Sequence, residues 1–204
     1  MVTSMNSMTK PKRSRLSPEN RRMQLLDCAK NIILKQGFSA LTMEAVTKEA
    51  NVSNPLVYKY FDTRLSLLTE LTEREIIRYY SEVLEELEVN QGFQHLLHIS
   101  VRTNFDEVAN GNILSILRSQ PDIERRIDKA KLRKKIDVGP ILVRRTMDAF
   151  QISKSQAINI VTFGSGVSQR AAMQWQQHGG DRDKMIKEVI AFINGGIDAL
   201  ISNR

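Results

Sequence analysis

The sequence predicts an all-α fold, and three of its features support this prediction. Leu, Ile, Ala, Lys and Glu dominate the 204 residues, of which 41% are hydrophobic and 6% aromatic, and such a composition favours helices. Apolar residues recur at helical spacing through most of the chain, without the alternation that is typical of strands. Proline is absent from residues 56–120 and again after Pro140, which permits long helices.

The first predicted helix follows a polar, basic segment, residues 1–16, which has no periodicity and which we expect to be disordered. Ser17 can cap this helix, and Pro18 suits its first turn. Gly37 is predicted to end it, because glycine adopts a left-handed conformation at a helix end without steric cost. The predicted inner face consists of Leu25, Leu26, Ala29, Ile32 and Ile33.

Residues 42–61 predict two short helices joined by a tight turn. Thr42 can cap the first of them, and Asn51 stands at the turn, where asparagine tolerates the left-handed conformation better than most residues. Val57 and Phe61 are four residues apart, so they share the buried face of the second helix. Together with the preceding helix, these residues predict a helix-turn-helix.

Longer helices are predicted in the rest of the chain. One begins at Asp62 or Thr63, and Pro121 and Pro140 each mark a break.

Two long helices are predicted near the carboxy terminus. Ser153 with Gln156 three residues later is a capping box, which begins a helix that runs to the glycine pair at 179–180. Asp181 is predicted to start the last helix.

The positive charge of the chain is concentrated in its first third. The net charge is +7, and residues 1–64 contain 11 Lys and Arg against 5 Asp and Glu, whereas residues 65–204 contain 19 against 18. A polyanion is the natural partner of such a segment. A basic tail that only increases solubility is the simpler alternative, and it would involve Lys10, Lys12, Arg13 and Arg15.

The outward face of the third predicted helix is unusual for a solvated helix. It combines a cation, hydrogen-bonding groups and small apolar groups, and no acidic residue lies between Ala50 and Asp62. Such a mixture suits the major groove of DNA, where lysine and tyrosine reach phosphates and asparagine pairs with adenine. The alternative is that the two tyrosines belong to the core. The outward residues are Asn54, Pro55, Leu56, Tyr58, Lys59 and Tyr60.

The run GFSALTMEAVTKEANVSNPLVYKYFDTRLSLL, residues 37–68, resembles the DNA-binding domain of the TetR family of transcriptional regulators. The resemblance covers residues 17–68, about a third of the chain. Three positions depart from the family pattern: Asn51 and Pro55 replace glycines, and Thr47 replaces a small residue. The operator sequence therefore cannot be taken from the family.

The resemblance implies two domains and a set of DNA contacts. A three-helix, homeodomain-like helix-turn-helix domain would cover residues 17–63, and a helical effector-binding and dimerisation domain would cover residues 64–204. Thr42, Tyr58 and Arg64 would bind phosphates, and Lys48 is near enough to assist. The residues that would face the groove are Asn54, Pro55, Leu56, Lys59 and Tyr60.

The resemblance also implies a small-molecule pocket and a homodimer built from the last two helices. Each predicted residue could instead be ordinary core. The predicted pocket residues are Phe93, His98, Phe105, Leu114, Leu117, Met147, Phe150 and Phe163. The predicted dimer interface consists of Gly164, Ser168, Ala171, Trp175, Ile186, Ile190, Ile193 and Ile197.

Other functional classes receive little support from the sequence. We expect no metal site, because His95 and His98 have no Cys, Asp or Glu at ligand spacing nearby. We expect no cofactor and no enzymatic activity, since neither a nucleophile elbow nor a glycine-rich phosphate loop is present. Cys28 cannot form an internal disulfide, which suits a reducing compartment, and we expect a soluble cytoplasmic protein without membrane segments.

We therefore predict a sequence-specific, DNA-binding transcriptional regulator, in the form of a repressor that a ligand releases from a palindromic operator. One alternative is a helical small-molecule carrier or enzyme. Another is a DNA-bound structural or division-control protein of the same fold without an inducer. The basic cluster at residues 125–135 is either a solvated helix face or a site for an acidic effector or the phosphate of an acyl carrier.

Overall fold

The computed structural model describes residues 16–89, 92–127 and 138–202, and all regular structure within these ranges is helical. The predicted all-α fold is thus confirmed. The predicted basic arm lies outside the described residues except for Leu16. In chain order the elements are α1 (Pro18–Gln36), a 3₁₀ turn (Phe38–Ala40), α2 (Met43–Ala50), α3 (Asn54–Tyr60), α4 (Arg64–Val89), α5 (Phe93–Ala109), α6 (Ile113–Arg118), α7 (Pro121–Arg126), α8 (Val138–Phe150), α9 (Lys154–His178) and α10 (Arg182–Ser202).

The ends of α1 and α2 are fixed by local hydrogen bonds. Ser17 Oγ accepts from the N–H of Asn20 at 3.1 Å, and Thr42 Oγ1 accepts from the N–H of Ala45 at 3.0 Å. Asn51 ends α2 with φ 51° and ψ 54°, the left-handed conformation predicted for the turn. Two short helices joined by this turn follow α1, which confirms the predicted helix-turn-helix geometry.

The longer helices also begin at caps. Thr63 and Ser66 bond reciprocally before α4, each hydroxyl accepting from the other residue's N–H at 3.0 to 3.2 Å. The predicted capping box of Ser153 and Gln156 opens α9. Asp181 Oδ1 accepts a backbone N–H of the first turn of α10 at 3.0 Å.

Both predicted proline breaks coincide with the start of a helix. Pro121 is the first residue of α7, and Pro140 lies in the first turn of α8. A proline in the first turn removes no hydrogen bond that the helix could otherwise make.

A first hydrophobic core joins α1–α4 to α6 and α7. Leu25 of α1, Val57 of α3 and Leu68 of α4 are fully buried in it, and Ile113 and Leu117 of α6 belong to the same cluster. This core therefore extends across the domain boundary that the sequence predicts after residue 63.

A second core lies between α5, α9 and α10, and it contains several residues of the predicted dimer interface. Ser168, Ile186, Ile193 and Ile197 are buried inside one protomer, because α9 and α10 turn these side chains toward α5 and toward each other. Gly164, Ala171, Trp175 and Ile190 are half-buried beside them.

Candidate nucleic-acid interface and small-molecule cavity

Helix α3 presents a short polar and cationic face to solvent. Asn54, Pro55, Tyr58 and Lys59 are exposed, and 44% of the Tyr58 surface is accessible. Val57 on the opposite side is fully buried and anchors the helix. The exposed face offers an amide, a phenol and an ammonium group, which are chemically suited to phosphate oxygens and base edges.

Leu56 and Tyr60, which the sequence analysis places on the outward face, are half-buried. Tyr60 packs against the first core. Since α3 has only seven residues, it completes about two turns, and residues next to its stripe of Val57 and Phe61 contact the core. The exposed face is therefore narrower than the sequence predicts.

The three predicted DNA-contacting residues outside α3 differ in whether their side chains are free to reach DNA or bound within the protein. Thr42 and Lys48 are exposed. Arg64 instead donates to the carbonyl oxygens of Leu41 and Phe38 at 2.5 and 3.1 Å, and its guanidinium carbon lies 4.8 Å from the centroid of the Phe38 ring. In this structure Arg64 thus fastens the start of α4 to the segment before α2.

Thr47 connects α2 to α3 through the predicted groove-facing asparagine. Its hydroxyl lies 2.7 Å from Asn54 Oδ1 and 2.9 Å from the carbonyl oxygen of Met43. The contact holds the Asn54 side chain against α2. Sequence reasoning treated Thr47 only as a departure from the family pattern and missed this role.

Arg22 of α1 supports the other end of α3, and sequence reasoning missed it entirely. Its Nε and Nη2 each lie 2.5 Å from a carboxylate oxygen of Glu70, and its Nη1 donates to the carbonyl oxygen of Tyr60 at 3.2 Å. The hydrogen bond to Glu70 raises the pKa of Arg22. Arg22 and Glu70 are 48 positions apart, so no local pattern indicates their pairing.

A cavity of about 600 Å³ lies between α4, α5, α8 and α9, with contributions from α6 and α10. Its size is within the range of small-molecule sites. Phe93 and Leu114 line it, as predicted. The other six predicted pocket residues lie elsewhere: Phe105 and Leu117 fully buried in the cores, Met147 and Phe150 half-buried beside the second core, and His98 and Phe163 on the surface.

A row of hydrogen-bonded polar groups lines the cavity. Tyr79 Oη donates to Asn104 Oδ1 at 2.8 Å, and Asn104 Nδ2 donates to Ser168 Oγ at 2.6 Å. Ser168 in turn donates to the carbonyl oxygen of Ser165 at 3.0 Å. Only 5% of Asn104 is accessible, so α4, α5 and α9 hold this amide in one orientation.

An ion-pair chain runs from the cavity wall to α1. Glu107 lines the cavity, accepts the N–H of Leu114 at 2.9 Å and accepts from Arg78 Nη2 at 2.7 Å. Arg78 Nε donates to Glu75 at 2.9 Å, and Glu75 accepts from Lys30 of α1 at 2.9 Å. These contacts link the cavity to the first helix of the amino-terminal domain.

The members of this chain stabilise one another's charges. Burial would raise the pKa of Glu75, but hydrogen bonds from Lys30, Arg78 and Arg74 outweigh it and lower the pKa below its ordinary value. Burial would lower the pKa of Arg78, but hydrogen bonds to Glu75 and Glu107 outweigh it and raise the pKa. Glu75 and Arg78 are therefore both charged at neutral pH.

The outer faces of α9 and α10 carry exposed apolar residues. Phe163 is 59%, Phe192 69% and Leu200 51% accessible. The exposed glycines Gly195 and Gly196 lie between the last two, with open space around the position of each missing side chain. Large apolar side chains exposed on a surface are candidates for a contact face.

Three further observations concern the basic cluster, groups of metal-binding side chains and the length of the apolar helices. Arg125 and Arg126 of the basic cluster are exposed and do not line the cavity, while residues 128–135 lie outside the described residues. Where the chain is described, no three His, Cys, Asp or Glu residues are grouped to hold a metal ion. Over the same ranges, no helix combines the length and apolar character needed to cross a membrane.

Comparison with known proteins finds similarity to bacterial regulatory proteins. Residues 25–71 match the family described as bacterial regulatory proteins, tetR family. The transcriptional activator FasR of Mycolicibacterium smegmatis is 29% identical over 93 residues, 46% of this chain and 42% of that protein. The fatty acid metabolism regulator protein of Bacillus subtilis is 23% identical over 115 residues, 56% of this chain and 58% of that protein.

A solved structure extends the similarity of fold to most of the chain. The transcriptional regulator FadR from Bacillus subtilis, in complex with stearoyl-CoA, superposes with a TM-score of 0.62 at 18% identity, over 84% of this chain and 96% of that one. The chain spans about half the length of the curated relatives that it matches. The segment that matches the tetR family of bacterial regulatory proteins contains α2, α3 and the exposed face described above, so the similarity in sequence lies in the part of the chain that carries this face.

Proposed function

We propose that this protein is a sequence-specific, DNA-binding transcriptional regulator. The observation that carries the proposal is the solvent-facing side of α3, with Asn54, Tyr58 and Lys59. Thr47 and Arg22 hold the two ends of α3 in place. A recognition helix that is already ordered loses little conformational entropy when it enters a major groove.

The proposed regulator acts as a homodimer through the outer faces of α9 and α10. Phe163, Phe192 and Leu200 are the most exposed large apolar side chains of these helices. This surface replaces the predicted interface, whose central residues are buried within the protomer. A two-fold dimer would present two copies of α3 about 34 Å apart, the spacing of successive major grooves on a palindromic operator.

A small molecule in the cavity is the proposed effector, and it releases the protein from its operator as an inducer releases a repressor. Stearoyl-CoA in the FadR complex supports an effector with a large apolar part. The effector would favour a state in which the two α3 helices no longer fit adjacent grooves. The difference in its affinity for the two states would be the entire driving force.

The alternatives explain fewer of the observations. A helical carrier or enzyme would use the cavity but would not need the exposed face of α3. A DNA-bound structural or division-control protein would use that face but would not need a cavity of about 600 Å³. A regulator of transcription uses both, and its place of action is the cytoplasm, where bacterial DNA lies.

The test is DNA binding by the double variant Tyr58→Ala, Lys59→Ala. Fragments selected by the wild-type protein from its source genome would be measured for affinity across a salt series. We expect the double variant to lose affinity and its salt slope to fall by about 1 for each phosphate contact removed. Lys187→Ala, which removes an exposed lysine of α10, is the control and should bind as the wild type does. Unchanged affinity of the double variant for every fragment would refute the proposal.

A further inference from the structure

Glu107 is a buried carboxylate whose two oxygens connect three helices. Its side chain is 8% accessible and lines the cavity. Glu107 Oε1 accepts the N–H of Leu114 in the first turn of α6, and Oε2 accepts from Arg78 of α4 at 2.7 Å. Since Glu107 itself belongs to α5, this one carboxylate ties α5 both to α4 and to α6.

Arg78 continues this connection toward α1. Its Nε donates to Glu75, whose carboxylate is 2% accessible. Glu75 also accepts from Lys30 of α1 and from Arg74 of α4. Arg74 in turn pairs with Asp27 of α1 at 2.7 Å. The contacts of the cavity carboxylate therefore continue without a gap to two side chains of α1.

The ion pairs between α1 and α4 form a seam in which the charges alternate. The three pairs of this seam are Arg22 with Glu70, Asp27 with Arg74, and Lys30 with Glu75. Along α1 the paired groups are a cation, an anion and a cation, and along α4 they are the reverse. A shift of α1 that brought each group opposite a neighbouring partner would place like charges together, which costs free energy. The seam therefore specifies one register of α1 on α4.

The recognition helix depends on the register of this seam. Arg22, the first member of the seam on α1, also donates to the carbonyl oxygen of Tyr60 at the end of α3. Arg22 and Lys30 are eight residues apart, which is about 12 Å along the axis of α1. Because α1 is one continuous helix over this distance, a change in its register at Lys30 also moves Arg22 and the end of α3 that Arg22 holds.

We propose that Glu107 is a positioning residue for DNA binding. From the wall of the cavity it holds Arg78 against Glu75, and this contact keeps the seam, α1 and the exposed face of α3 in the arrangement that fits DNA. A cavity occupant that bonds to Glu107 competes with Arg78 for the same carboxylate. The inference rests on the proposed function and deepens it by naming the residue through which the cavity acts on the DNA-binding face.

The first test compares two neighbouring carboxylates of α5 in full-length protein without added ligand, with DNA fragments selected by the wild type. Glu107→Gln removes the charge but keeps an oxygen that can accept the N–H of Leu114. Asp106→Asn is the matched control, because it removes the same charge one residue earlier, where Asp106 pairs with Arg182 of α10. We expect Glu107→Gln to bind DNA about tenfold more weakly and Asp106→Asn to bind as the wild type does.

The salt dependence distinguishes positioning from direct contact. Glu107→Gln removes no phosphate contact, so its salt slope should equal that of the wild type. Wild-type affinity of Glu107→Gln for every fragment overturns the inference, and so does an equal loss of affinity in Asp106→Asn.

The second test follows the route through α1. Lys30→Met removes the partner of Glu75 on α1 and should weaken DNA binding severalfold, whereas Lys35→Met removes the same charge from an exposed position of α1 and should not. Adding Glu107→Gln to Lys30→Met should cost less than about twofold further affinity, since both changes break one chain, while independent effects would multiply. Multiplied losses, or wild-type affinity of Lys30→Met, contradict the route. The Lys30 side chain is 22% accessible, so this variant decides the question even where Glu107→Gln does not fold.

The third test needs no DNA. Hydrogen exchange should be faster in α1 and α3 of Glu107→Gln than in the wild type, whereas a carboxylate that stabilises only its own surroundings would affect α5 and α6 alone. Asp106→Asn should leave α1 and α3 unchanged, and unchanged exchange of both helices in Glu107→Gln contradicts the inference. Wild-type protein that binds DNA while these variants fail the tests loses only this inference. Wild-type protein that binds no fragment refutes the proposed function, and the inference with it.

Discussion

Replacing Glu75 by glutamine would leave three cations around an uncharged amide. The Glu75 carboxylate is 2% accessible and accepts from Lys30, Arg74 and Arg78, each at 2.9 Å. Removing one partner of a buried ion pair costs about 3–5 kcal/mol. Because the three cations retain 18–33% accessibility, water offsets part of this cost, and we expect about 3 kcal/mol. A chain of this size would then lose roughly 6–12 °C in Tm.

The assay is urea and thermal unfolding at neutral pH, followed by circular dichroism at one fixed protomer concentration, since the stability of a dimer depends on concentration. Glu188→Gln is the matched control. Its carboxylate is 63% accessible and lies 4.0 Å from Lys184, so its loss should change the free energy of unfolding by less than about 0.5 kcal/mol.

The stabilisation that the Glu75 carboxylate provides should change with pH in a defined direction. The folded-state pKa of Glu75 is lowered, so its carboxylate stabilises the fold above the unfolded-state pKa of about 4.3. This contribution is lost as the pH falls through the folded-state pKa. The stability gap between the wild type and Glu75→Gln should stay constant from neutral pH to about pH 6 and narrow below about pH 4. A loss under about 1 kcal/mol at neutral pH, or a gap that widens on acidification, would refute the reasoning.

Two further predictions concern the dimer and the contact between α1 and the loop after α5. Phe192→Glu should dissociate the dimer, because it places a charge on the proposed apolar interface; a sedimentation profile identical to that of the wild type would exclude this surface. Gly111→Ala should lower the free energy of unfolding by about 1–3 kcal/mol, since Gly111 has φ +91° and an added Cβ would lie 2.6 Å from Leu34 Cδ2. Adding Leu34→Ala should recover the steric part of this loss and leave the backbone part, and a double variant no more stable than Gly111→Ala would contradict the clash.

The helix ends could be predicted from the sequence because the chemistry that fixes them is local. Ser17, Thr42 and Ser153 each bond to a backbone N–H only three residues away. Asn51 adopts the left-handed turn that its own side chain favours. Such signals require no knowledge of what the helix packs against.

The assignment of helix faces could not be predicted in the same way. Ser168 and Ile193 have the helical spacing of an interface stripe, but this spacing is the same whether the stripe meets a partner, a cavity or the protomer's own core. The structure buries both residues in the protomer. The pairing of Arg22 with Glu70 spans 48 positions and depends on how α1 crosses α4, which the sequence does not reveal.

Two physical connections run to α1 from Glu107 in the cavity wall. The first is the ion-pair chain from Glu107 through Arg78 and Glu75 to Lys30. The second passes through α6, because Glu107 also accepts the N–H of Leu114 in the first turn of that helix. The core that contains α6 is the one that contains α1. A ligand group that displaces Glu107 would therefore loosen an ionic and a packed contact with α1 together.

The position of α3 depends on the same helix. Arg22 of α1 holds the carbonyl oxygen of Tyr60 at the end of α3 and pairs with Glu70 of α4. A small rotation of α1 relative to α4 cannot preserve all three groups at hydrogen-bonding distance, so it would reorient the face that carries Tyr58 and Lys59. Closely packed elements of this kind exchange between discrete arrangements rather than deforming gradually, and it is the choice between two such arrangements that an effector bound in the proposed cavity site would bias.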